Sequence, residues 1–318
     1  MPNILINGLP KECISVLDRG FQYGDGLFET LQIFDGEVLH WQRHIRRLSQ
    51  GCGRLAIPMP EHEKLRSESA QLSSGVSQGT LKITVTRGVG GRGYSAKGNL
   101  EATRVVAVFP AEEFPANIFP KSHWQQGVNV RLCHTRLAHN VALAGIKHLN
   151  RLEQVLARAE WDTPNIAEGL MLDNNNNVIE GTMSNVFCIK TVLNKKRVNH
   201  TYERSAMNNT ATEKGQEGDT VGGETTLFTP DLSRCGVAGI TRERILDMAT
   251  QLNIPVCITD LTLDDLEQAS EVFLSNSLIG IWPVRHFMAR DYSVGPVTQR
   301  LSAALGIRTG NMLESLND

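Results

Sequence analysis

The sequence predicts an α+β (mixed α/β) protein of two domains, and three observations support this. The chain has 318 residues, more than one small hydrophobic core requires. Strand-like runs and amphipathic helical runs are mixed along its whole length. Pro110, Pro115 and Pro120 mark a connection between two such regions. We therefore predict a small N-terminal α/β domain at 1–115 and a larger C-terminal domain at 116–318.

The composition favours a soluble protein that acts on small molecules. Hydrophobic residues make up 41% of the chain, and 32 Lys and Arg against 34 Asp and Glu give a net charge of −2. Nucleic acid and anionic membranes both need a concentrated basic surface, so neither is a predicted partner. No apolar run is long enough to span a membrane, and Met1–Gly8 lacks the features of a signal peptide. Six dispersed cysteines without a C-x-x-C pair, and no H-E-x-x-H sequence, predict a cytoplasmic protein without a metal.

The first domain starts with two short strands, at 3–6 and 31–34. Between them lies Asp18–Thr30, whose glycines indicate either a pocket wall or an ordinary turn. A helix follows at 40–55, with its apolar residues on one face: Ile45, Leu48, Cys52 and Leu55. Arg47 is one of several arginines on the other positions, where arginine usually faces water and less often binds a phosphate.

A β-hairpin is predicted next, from strands at 80–87 and 104–109. The glycines of 88–93 match G-x-G-x-x-G, but a dinucleotide site requires a helix after them, and here a second strand follows. The tip of the hairpin presents Arg92 and Tyr94. An arginine on such a tip is either a clamp for a substrate carboxylate or a solvated loop residue.

Lys147 stands between a small-residue turn and a predicted helix. The apolar residues of that helix recur on one face: Leu149, Leu152, Val155, Leu156 and Ala159. An amine fixed at such a junction can lose hydration, so that its pKa falls and it can act as a nucleophile or form a Schiff base. The ordinary alternative is a solvated lysine at the start of a helix.

A second hairpin, at 167–180, ends in Glu180, and the turn after it contains Ser184 and Asn185. A carboxylate buried at that strand end needs a partner, either a protonated ring nitrogen or a group of backbone amides. Residues 191–226 contain almost no large apolar side chains, so we predict an exposed insertion there.

Residues 236–244 lead into a helix for which Thr241 is the predicted N-cap. Arg242 and Arg244 in its first turn oppose the helix dipole. A bound anion would remove this conflict, and the alternative is an exposed turn with screened charges. The following strand ends in a small polar turn, Ser275–Ser277.

Several segments together resemble the class IV (fold type IV) pyridoxal phosphate enzymes, which include branched-chain and D-amino acid aminotransferases and aminodeoxychorismate lyases. The segments that carry this resemblance are Phe21–Thr30, His44–Leu48, Gly145–Arg151, Glu180–Phe187 and Gly239–Arg242. Three runs are similar to the lyase branch: Lys147–Leu156, Arg87–Ser95 and Asn276–Val284. The resemblance covers nearly the whole chain apart from 191–226 and implies a small domain followed by a larger, barrel-like one.

The resemblance implies pyridoxal 5'-phosphate as the cofactor and a role for each residue that matches the family pattern. The implied cofactor site consists of Lys147, Arg47, Glu180, Ser184, Asn185, Ile240, Thr241, Asn276 and Ser277. In it, Lys147 forms the Schiff base and moves protons, Glu180 faces the pyridine nitrogen, and Arg47 binds the phosphate. The residues implied to lie near the substrate are Thr30, Arg92 and Tyr94.

The resemblance to the lyase branch implies conversion of 4-amino-4-deoxychorismate to 4-aminobenzoate and pyruvate, a step of folate synthesis, in a homodimer. Lys147 would remove the proton at C4 of the substrate before the enolpyruvyl group leaves. Phe28-Glu29-Thr30 has the aminotransferase form of its motif, so the alternative is a transaminase acting on D-amino or branched-chain amino acids. A passive cofactor-binding protein and an oxidoreductase that uses the glycines of 88–93 are further alternatives.

Overall fold

The computed structural model describes residues 3–96, 101–114, 119–193, 223–308 and 311–312, which form two main β-sheets with helices packed against them. The N-terminal sheet is antiparallel and has the order β1-β5-β4-β2-β3. Its strands are β1 (Asn3–Ile6), β2 (Gly26–Phe34), β3 (Glu37–Val38), β4 (Gln78–Thr86) and β5 (Thr103–Pro110). Its helices are α1 (Arg19–Tyr23), α2 (Trp41–Leu55) and α3 (His62–Ser73).

The C-terminal sheet contains a closed barrel, as the resemblance implied. Its strands are β6 (Val128–Leu137), β7 (Glu168–Asp173), β8 (Val178–Gly181), β9 (Asn185–Leu193), β10 (Gly223–Pro230), β11 (Val256–Thr259), β12 (Glu271–Asn276), β13 (Gly280–Phe287) and β14 (Arg290–Asp291). Six strands follow one another as β9-β12-β13-β6-β7-β8, and β8 pairs with β9 through Glu180 and Asn185. The barrel therefore closes at two residues of the predicted cofactor site.

Short helices and a small hairpin complete the C-terminal part. The helices are α4 (Ser122–Gln125), α5 (Leu152–Arg158), α6 (Ile240–Gln251), α7 (Leu263–Glu267) and α8 (Pro296–Ala304), and the hairpin joins β15 (Ile307–Arg308) to β16 (Asn311–Met312). α6 and α8 cover one face of β9 and β12, where Phe187 stacks on Phe273. Within the described ranges, no helix is long and apolar enough to cross a membrane.

The predicted hairpin of the N-terminal region is confirmed by the pairing of β4 with β5, although residues 97–100 of its tip lie outside the described residues. The predicted helix at 40–55 is α2, and its apolar face is buried. The strand predicted at 31–34 is longer, because alternating burial starts at Gly26. The segment Asp18–Thr30 is therefore neither one turn nor one loop, but α1 followed by the first half of β2.

Two predictions about the C-terminal region were wrong in their boundaries. The helix after Lys147 begins only at Leu152, and Leu152, Val155 and Leu156 on it are exposed rather than packed in the core. The insertion predicted at 191–226 is shorter at both ends, because Leu193 pairs with Gly223 in regular strands and 194–222 lies outside the described residues. The domain division at 115/116 stays a prediction.

Candidate active site

Lys147 lies in the segment Gly145–Leu149, here called the ribbon, which bridges β2 and the loop before α6, and it is not at the start of a helix. On one side, Phe28 N donates to Lys147 O at 2.9 Å, and Leu149 N donates to Gly26 O at 2.9 Å. On the other side, Gly145 N donates to Gly236 O at 2.9 Å. The backbone of Lys147 is thus fixed by β2 and by the loop that precedes α6.

A cavity of about 560 Å³ opens beside Lys147. It is bounded by β2, α5, the turns after β8 and β12, and the start of α6. The predicted site residues that line it are Thr30, Arg47, Lys147, Glu180, Ser184, Asn185, Ile240, Asn276 and Ser277. The structure therefore brings together nine of the twelve predicted site residues, which come from distant parts of the chain.

The amine of Lys147 is held in conditions that favour its neutral form. Its Nζ lies 4.6 Å from the centre of the Phe28 ring. Burial and the neighbouring Arg47 charge lower the pKa of Lys147 to about 8. A neutral amine is the form that attacks a carbonyl carbon or accepts a proton, so this lysine is suited to both.

Glu180 lies in β8, lines the same cavity and is 5% exposed. Its Oε2 accepts a hydrogen bond from Val237 N at 2.8 Å. Burial raises the pKa of Glu180, although this hydrogen bond and the charges of Arg151 and Lys147 act in the other direction. A carboxyl with a raised pKa, facing a cavity, is suited to share a proton with a basic ring nitrogen.

Arg47 reaches the cavity from α2 and is anchored by Glu29, which the sequence analysis did not assign. Arg47 Nε and Nη2 donate to the two oxygens of Glu29 at 2.8 Å and 2.5 Å, and Nη1 donates to Ala238 O at 2.8 Å. His44, one turn earlier on α2, lies 2.7 Å from Glu29 Oε2 through its Nδ1. Burial raises the pKa of Glu29, but the Arg47 charge and the hydrogen bonds outweigh it and lower the pKa to about 2.

The start of α6 differs from the sequence prediction. Gly239, not Thr241, is the N-cap, and it offers no side-chain cap. The amide of Ile240 is thus left without a side-chain partner where the helix meets the cavity. Thr241 is buried as the second residue of the helix and does not line the cavity.

The arginines predicted to conflict with the dipole of α6 have partners elsewhere. Arg242 turns back to β10, where it donates to Thr229 Oγ1 at 3.2 Å and to Pro230 O at 3.0 Å. Glu243 in the same turn pairs with Arg43 at 2.7 Å and also with Arg46. An acidic residue in the first turn is favourable, so a bound anion is not needed to explain the two arginines.

The turn between β8 and β9 is organised by Glu168, a second carboxylate that the sequence analysis did not assign. Glu168 accepts from Thr182 Oγ1 at 2.6 Å and from Ser184 Oγ at 2.8 Å. Asn185 Nδ2 donates to Val237 O at 2.9 Å and so fixes the loop before α6. Ser184 and Asn185 line the cavity, but these two groups are already engaged within the protein.

Arg92 and Tyr94 do not line this cavity, and their role toward the substrate stays a prediction. Tyr94 is 87% exposed, and its ring packs against Tyr23 at 5.4 Å. Arg19 fixes this loop by donating to Gly93 O at 2.9 Å and to Tyr94 O at 3.0 Å.

Two further cations line the cavity without an assigned role. Arg151 and Arg158 are seven residues apart, at the two ends of α5, and both face the cavity together with Gln154 and Val155. Neither arginine forms a salt bridge within the described residues. Their i, i+7 spacing was visible in the sequence, but only the position of α5 shows what they face.

Comparisons with known proteins match this arrangement. The profile of the family described as amino-transferase class IV matches residues 26–287. The chain is 35% identical to an aminodeoxychorismate lyase of Vibrio harveyi, over 94% of this chain and 98% of that protein. The chain belongs to the class IV aminotransferase family.

Solved and curated members of the class IV family support the same assignment. The crystal structure of 4-amino-4-deoxychorismate lyase from Pseudomonas aeruginosa is 41% identical, with a TM-score of 0.79, and the match covers 95% of this chain and 98% of that one. A D-alanine aminotransferase of Listeria monocytogenes is 27% identical over 91% of this chain and 88% of that protein. The fold predicted from the resemblance is thereby confirmed.

Class IV enzymes depend on pyridoxal 5'-phosphate, and the cavity fits that group. Among the described residues, Ser275 Oγ is buried in the cavity wall without a hydrogen-bond partner, and a ligand in the cavity would supply one. The uncapped start of α6 and Arg47 suit a phosphate, Glu180 suits a ring nitrogen, and Lys147 suits an aldehyde. The donor set therefore matches the three reactive parts of the cofactor.

Proposed function

We propose that this class IV enzyme is an aminodeoxychorismate lyase, which converts 4-amino-4-deoxychorismate to 4-aminobenzoate and pyruvate in folate synthesis. The observation that carries this choice is the difference in similarity, 35% to a curated lyase against 27% to a D-alanine aminotransferase. The transaminase alternative is therefore not favoured. Bound pyridoxal phosphate supplies an electron sink conjugated to the amine-bearing carbon of the substrate.

The residues of the chain transfer the protons and bind the cofactor and the substrate. The neutral amine of Lys147 would accept the proton from C4 of the substrate. The electron pair left behind allows the C3–O bond to break, so that the ring becomes aromatic and the side chain leaves as enolpyruvate, which takes up a proton and tautomerises to pyruvate. Thr30, in β2, lines the same cavity, which supports a position close to the reacting group of the substrate. Glu180 holds the proton on the ring nitrogen, and Arg47 with the amide of Ile240 holds the phosphate.

The proposal is tested by incubating the purified protein with 4-amino-4-deoxychorismate and measuring pyruvate and 4-aminobenzoate separately. Equal release of both products is the expected result. Lys147→Ala should abolish it together with the visible absorbance of the cofactor. Lys82→Ala is the matched control, because Lys82 lies 5.4 Å from the same Phe28 ring but is exposed and outside the cavity. Transamination of D-alanine or leucine with 2-oxoglutarate, without elimination, would contradict the proposal.

We also propose that the enzyme is a cytoplasmic homodimer. Two large apolar side chains on α5 that do not line the cavity, Leu152 and Leu156, are more than half exposed, which is unusual for one short helix of a monomer. Arg92 and Tyr94 lie outside their own cavity, so a role in binding substrate would require the cavity of a second subunit. All six cysteines are free thiols, as is usual in the cytoplasm. Light scattering of the purified protein tests the dimer, and a monomer would refute it.

A further inference from the structure

A row of three hydrogen-bonded side chains, Glu29, His44 and Ser277, joins the two sheets at the cavity wall, with Glu29 and His44 buried and Ser277 partly exposed. His44 Nδ1 lies 2.7 Å from Glu29 Oε2, and His44 Nε2 lies 3.4 Å from Ser277 Oγ. The side chains of Glu29 and His44 are each 1% exposed. Ser277 comes from the turn after β12 and lines the cavity. Anchoring of Arg47 explains why Glu29 is present, but it does not explain His44 or its contact with Ser277.

The direction of the hydrogen bond between His44 and Ser277 depends on whether the imidazole of His44 carries one proton or two. The Arg47 charge keeps Glu29 ionised, so Glu29 only accepts and His44 Nδ1 must carry a proton. In a neutral imidazole, Nε2 is then an acceptor, and the Ser277 hydroxyl donates its only proton to it. In an imidazolium, Nε2–H donates to Ser277 Oγ instead, and the hydroxyl proton is free to point into the cavity. The charge of His44 therefore decides whether Ser277 can donate to a ligand.

The groups around His44 favour its neutral form while the cavity holds no anion. Those that face it are Glu29 from β2, His40 and Arg47 from its own helix, and Lys147 from the ribbon. Burial and then the charges of Arg47 and Lys147 lower the pKa of His44, and the hydrogen bond and charge of Glu29 offset this only in part. An added negative charge at the cavity wall acts in the same direction as Glu29 and favours the imidazolium.

We propose that His44 takes up a proton from solvent when the phosphate group of the cofactor binds, and that this makes the Ser277 hydroxyl a donor to that phosphate. His44 is thus a positioning residue, which acts through Ser277 and does not itself touch the cofactor. The inference rests on the cofactor site of the proposed function, but it does not depend on which reaction follows.

The test is calorimetric titration of the full-length apoprotein with pyridoxal 5'-phosphate and, separately, with pyridoxal, each in two buffers of different ionisation enthalpy. Pyridoxal reports the protons exchanged at Lys147, and the difference between the ligands reports those linked to the phosphate. His44→Gln is the decisive variant. Its amide can donate to Glu29 and accept from Ser277, as neutral histidine does, but it cannot gain a proton.

In the wild type, the phosphate-linked proton uptake should exceed that of His44→Gln by about one proton. Loss of affinity in His44→Gln with an unchanged proton count would mean a purely structural role and would overturn the proposal. Wild-type protein that fails to bind pyridoxal phosphate at all would instead refute the proposed function. The two failures are therefore distinguishable.

A second variant keeps the test decisive if His44→Gln does not fold. Ser277→Ala leaves the Glu29–His44 pair intact and removes only the donor. The affinity ratio of wild type to Ser277→Ala for pyridoxal 5'-phosphate should fall as the pH rises, because the donor exists only while His44 is charged. A ratio that does not change with pH would overturn the proposal, and the affinity for pyridoxal should be equal in the two proteins.

Discussion

At the scale of single residues, burial and then the neighbouring charges set the pH at which Lys147 can act. The pKa of Lys147 is lowered to about 8, with Arg151 among the causes. We expect the rate at which pyridoxal phosphate attaches to the apoprotein to rise with pH, and to level off above about 8. In Arg151→Gln the midpoint should move to higher pH, because a neighbouring positive charge has been removed. Stopped-flow absorbance in the visible range measures both curves.

Arg158→Gln is the matched control for that experiment. Arg158 lines the same cavity but is not among the groups that shift the pKa of Lys147. Its midpoint should therefore match that of the wild type. Equal pH midpoints in wild type and Arg151→Gln would show that the Arg151 charge does not change the pKa of the Lys147 amine.

A second prediction concerns the substrate affinity that Arg158 provides. Arg158 is fixed although it is exposed: its guanidinium lies 4.5 Å from the centre of the Trp161 ring, and Nη1 donates to Trp161 O at 2.9 Å. If Arg47 binds the phosphate, as proposed, Arg158 remains available to bind a carboxylate of the substrate. We expect Arg158→Gln to raise the KM for 4-amino-4-deoxychorismate by about ten-fold or more, with the cofactor absorbance unchanged.

Arg131→Gln separates this effect from loss of packing on Trp161. Arg131 lies 5.9 Å from the same ring, but it is paired with Glu160 at 3.4 Å and does not line the cavity. It should leave the KM near the wild-type value. Steady-state kinetics of the wild type, Arg158→Gln and Arg131→Gln gives the three KM values. An equal rise in both variants would show that the effect comes from lost packing on Trp161.

A single residue could be predicted from the sequence where its own side chain is the reactive group. Lys147 and Glu180 were candidates from their places in the sequence, the resemblance added Arg47 and gave all three their roles, and all three line the cavity. Glu29 was missed, although the alternation along β2 places it on the buried face with Leu27 and Leu31. The alternation shows that Glu29 needs a partner, but its partners lie on another element, and only the packing of α2 on β2 identifies them.

At the scale of elements, Gly239 is expected to be essential for the start of α6. A Cβ at this position would overlap Oδ1 of Asn185. Gly239→Ala must therefore displace either Asn185, which holds the loop through Val237, or the first turn of the helix. We expect this to weaken pyridoxal phosphate binding by about 1–3 kcal/mol, measured by calorimetry.

Gly53→Ala is the matched control, because Gly53 lies within α2, is exposed and has nothing within 4 Å of an added Cβ. It should leave cofactor binding unchanged and stabilise the fold by about 0.5–1 kcal/mol in denaturant titration. Unchanged binding in Gly239→Ala would show that the helix start can shift without loss.

The type of each secondary-structure element was predicted better than the residues at which it begins and ends. The period of apolar residues after Lys147 correctly indicated a helix, but not that its apolar side is left exposed, because a period does not identify the neighbour that covers it. Thr241 was a good N-cap by residue type. The backbone nevertheless enters the helix two residues earlier, since Ala238 is already bonded to Gly145 on the ribbon.

At the scale of the whole molecule, the long connection between β9 and β10 is expected to be dispensable for cofactor binding. Leu193 and Gly223 are directly paired, so the two strands can be joined by a two-residue turn. Replacement of 194–222 by Asn-Gly should retain the affinity for pyridoxal phosphate and stabilise the fold by about 1–2 kcal/mol through a shorter loop. Calorimetry and thermal unfolding test both parts, and loss of cofactor binding would refute the prediction.

The barrel could be recognised only by resemblance, because closure depends on pairs between distant strands. The strands around Glu180 and Asn185 were predicted individually, but their mutual pairing, which closes the ring, follows from the turn that Glu168 orders. Sequence periodicity gives strands and faces; it does not give their order in a sheet.

The ribbon around Lys147 has a consequence for motion. It is the seam along which the N-terminal sheet is joined to the barrel, with hydrogen bonds to Gly26 and Phe28 on one side and to Gly236 and Ala238 on the other. Any rotation of one sheet against the other that keeps these bonds must use the seam as its axis. Points on an axis move least, so such a rotation would leave the backbone that carries the reactive amine almost stationary. The enzyme could then exchange substrate and product repeatedly without having to realign its lysine in each cycle.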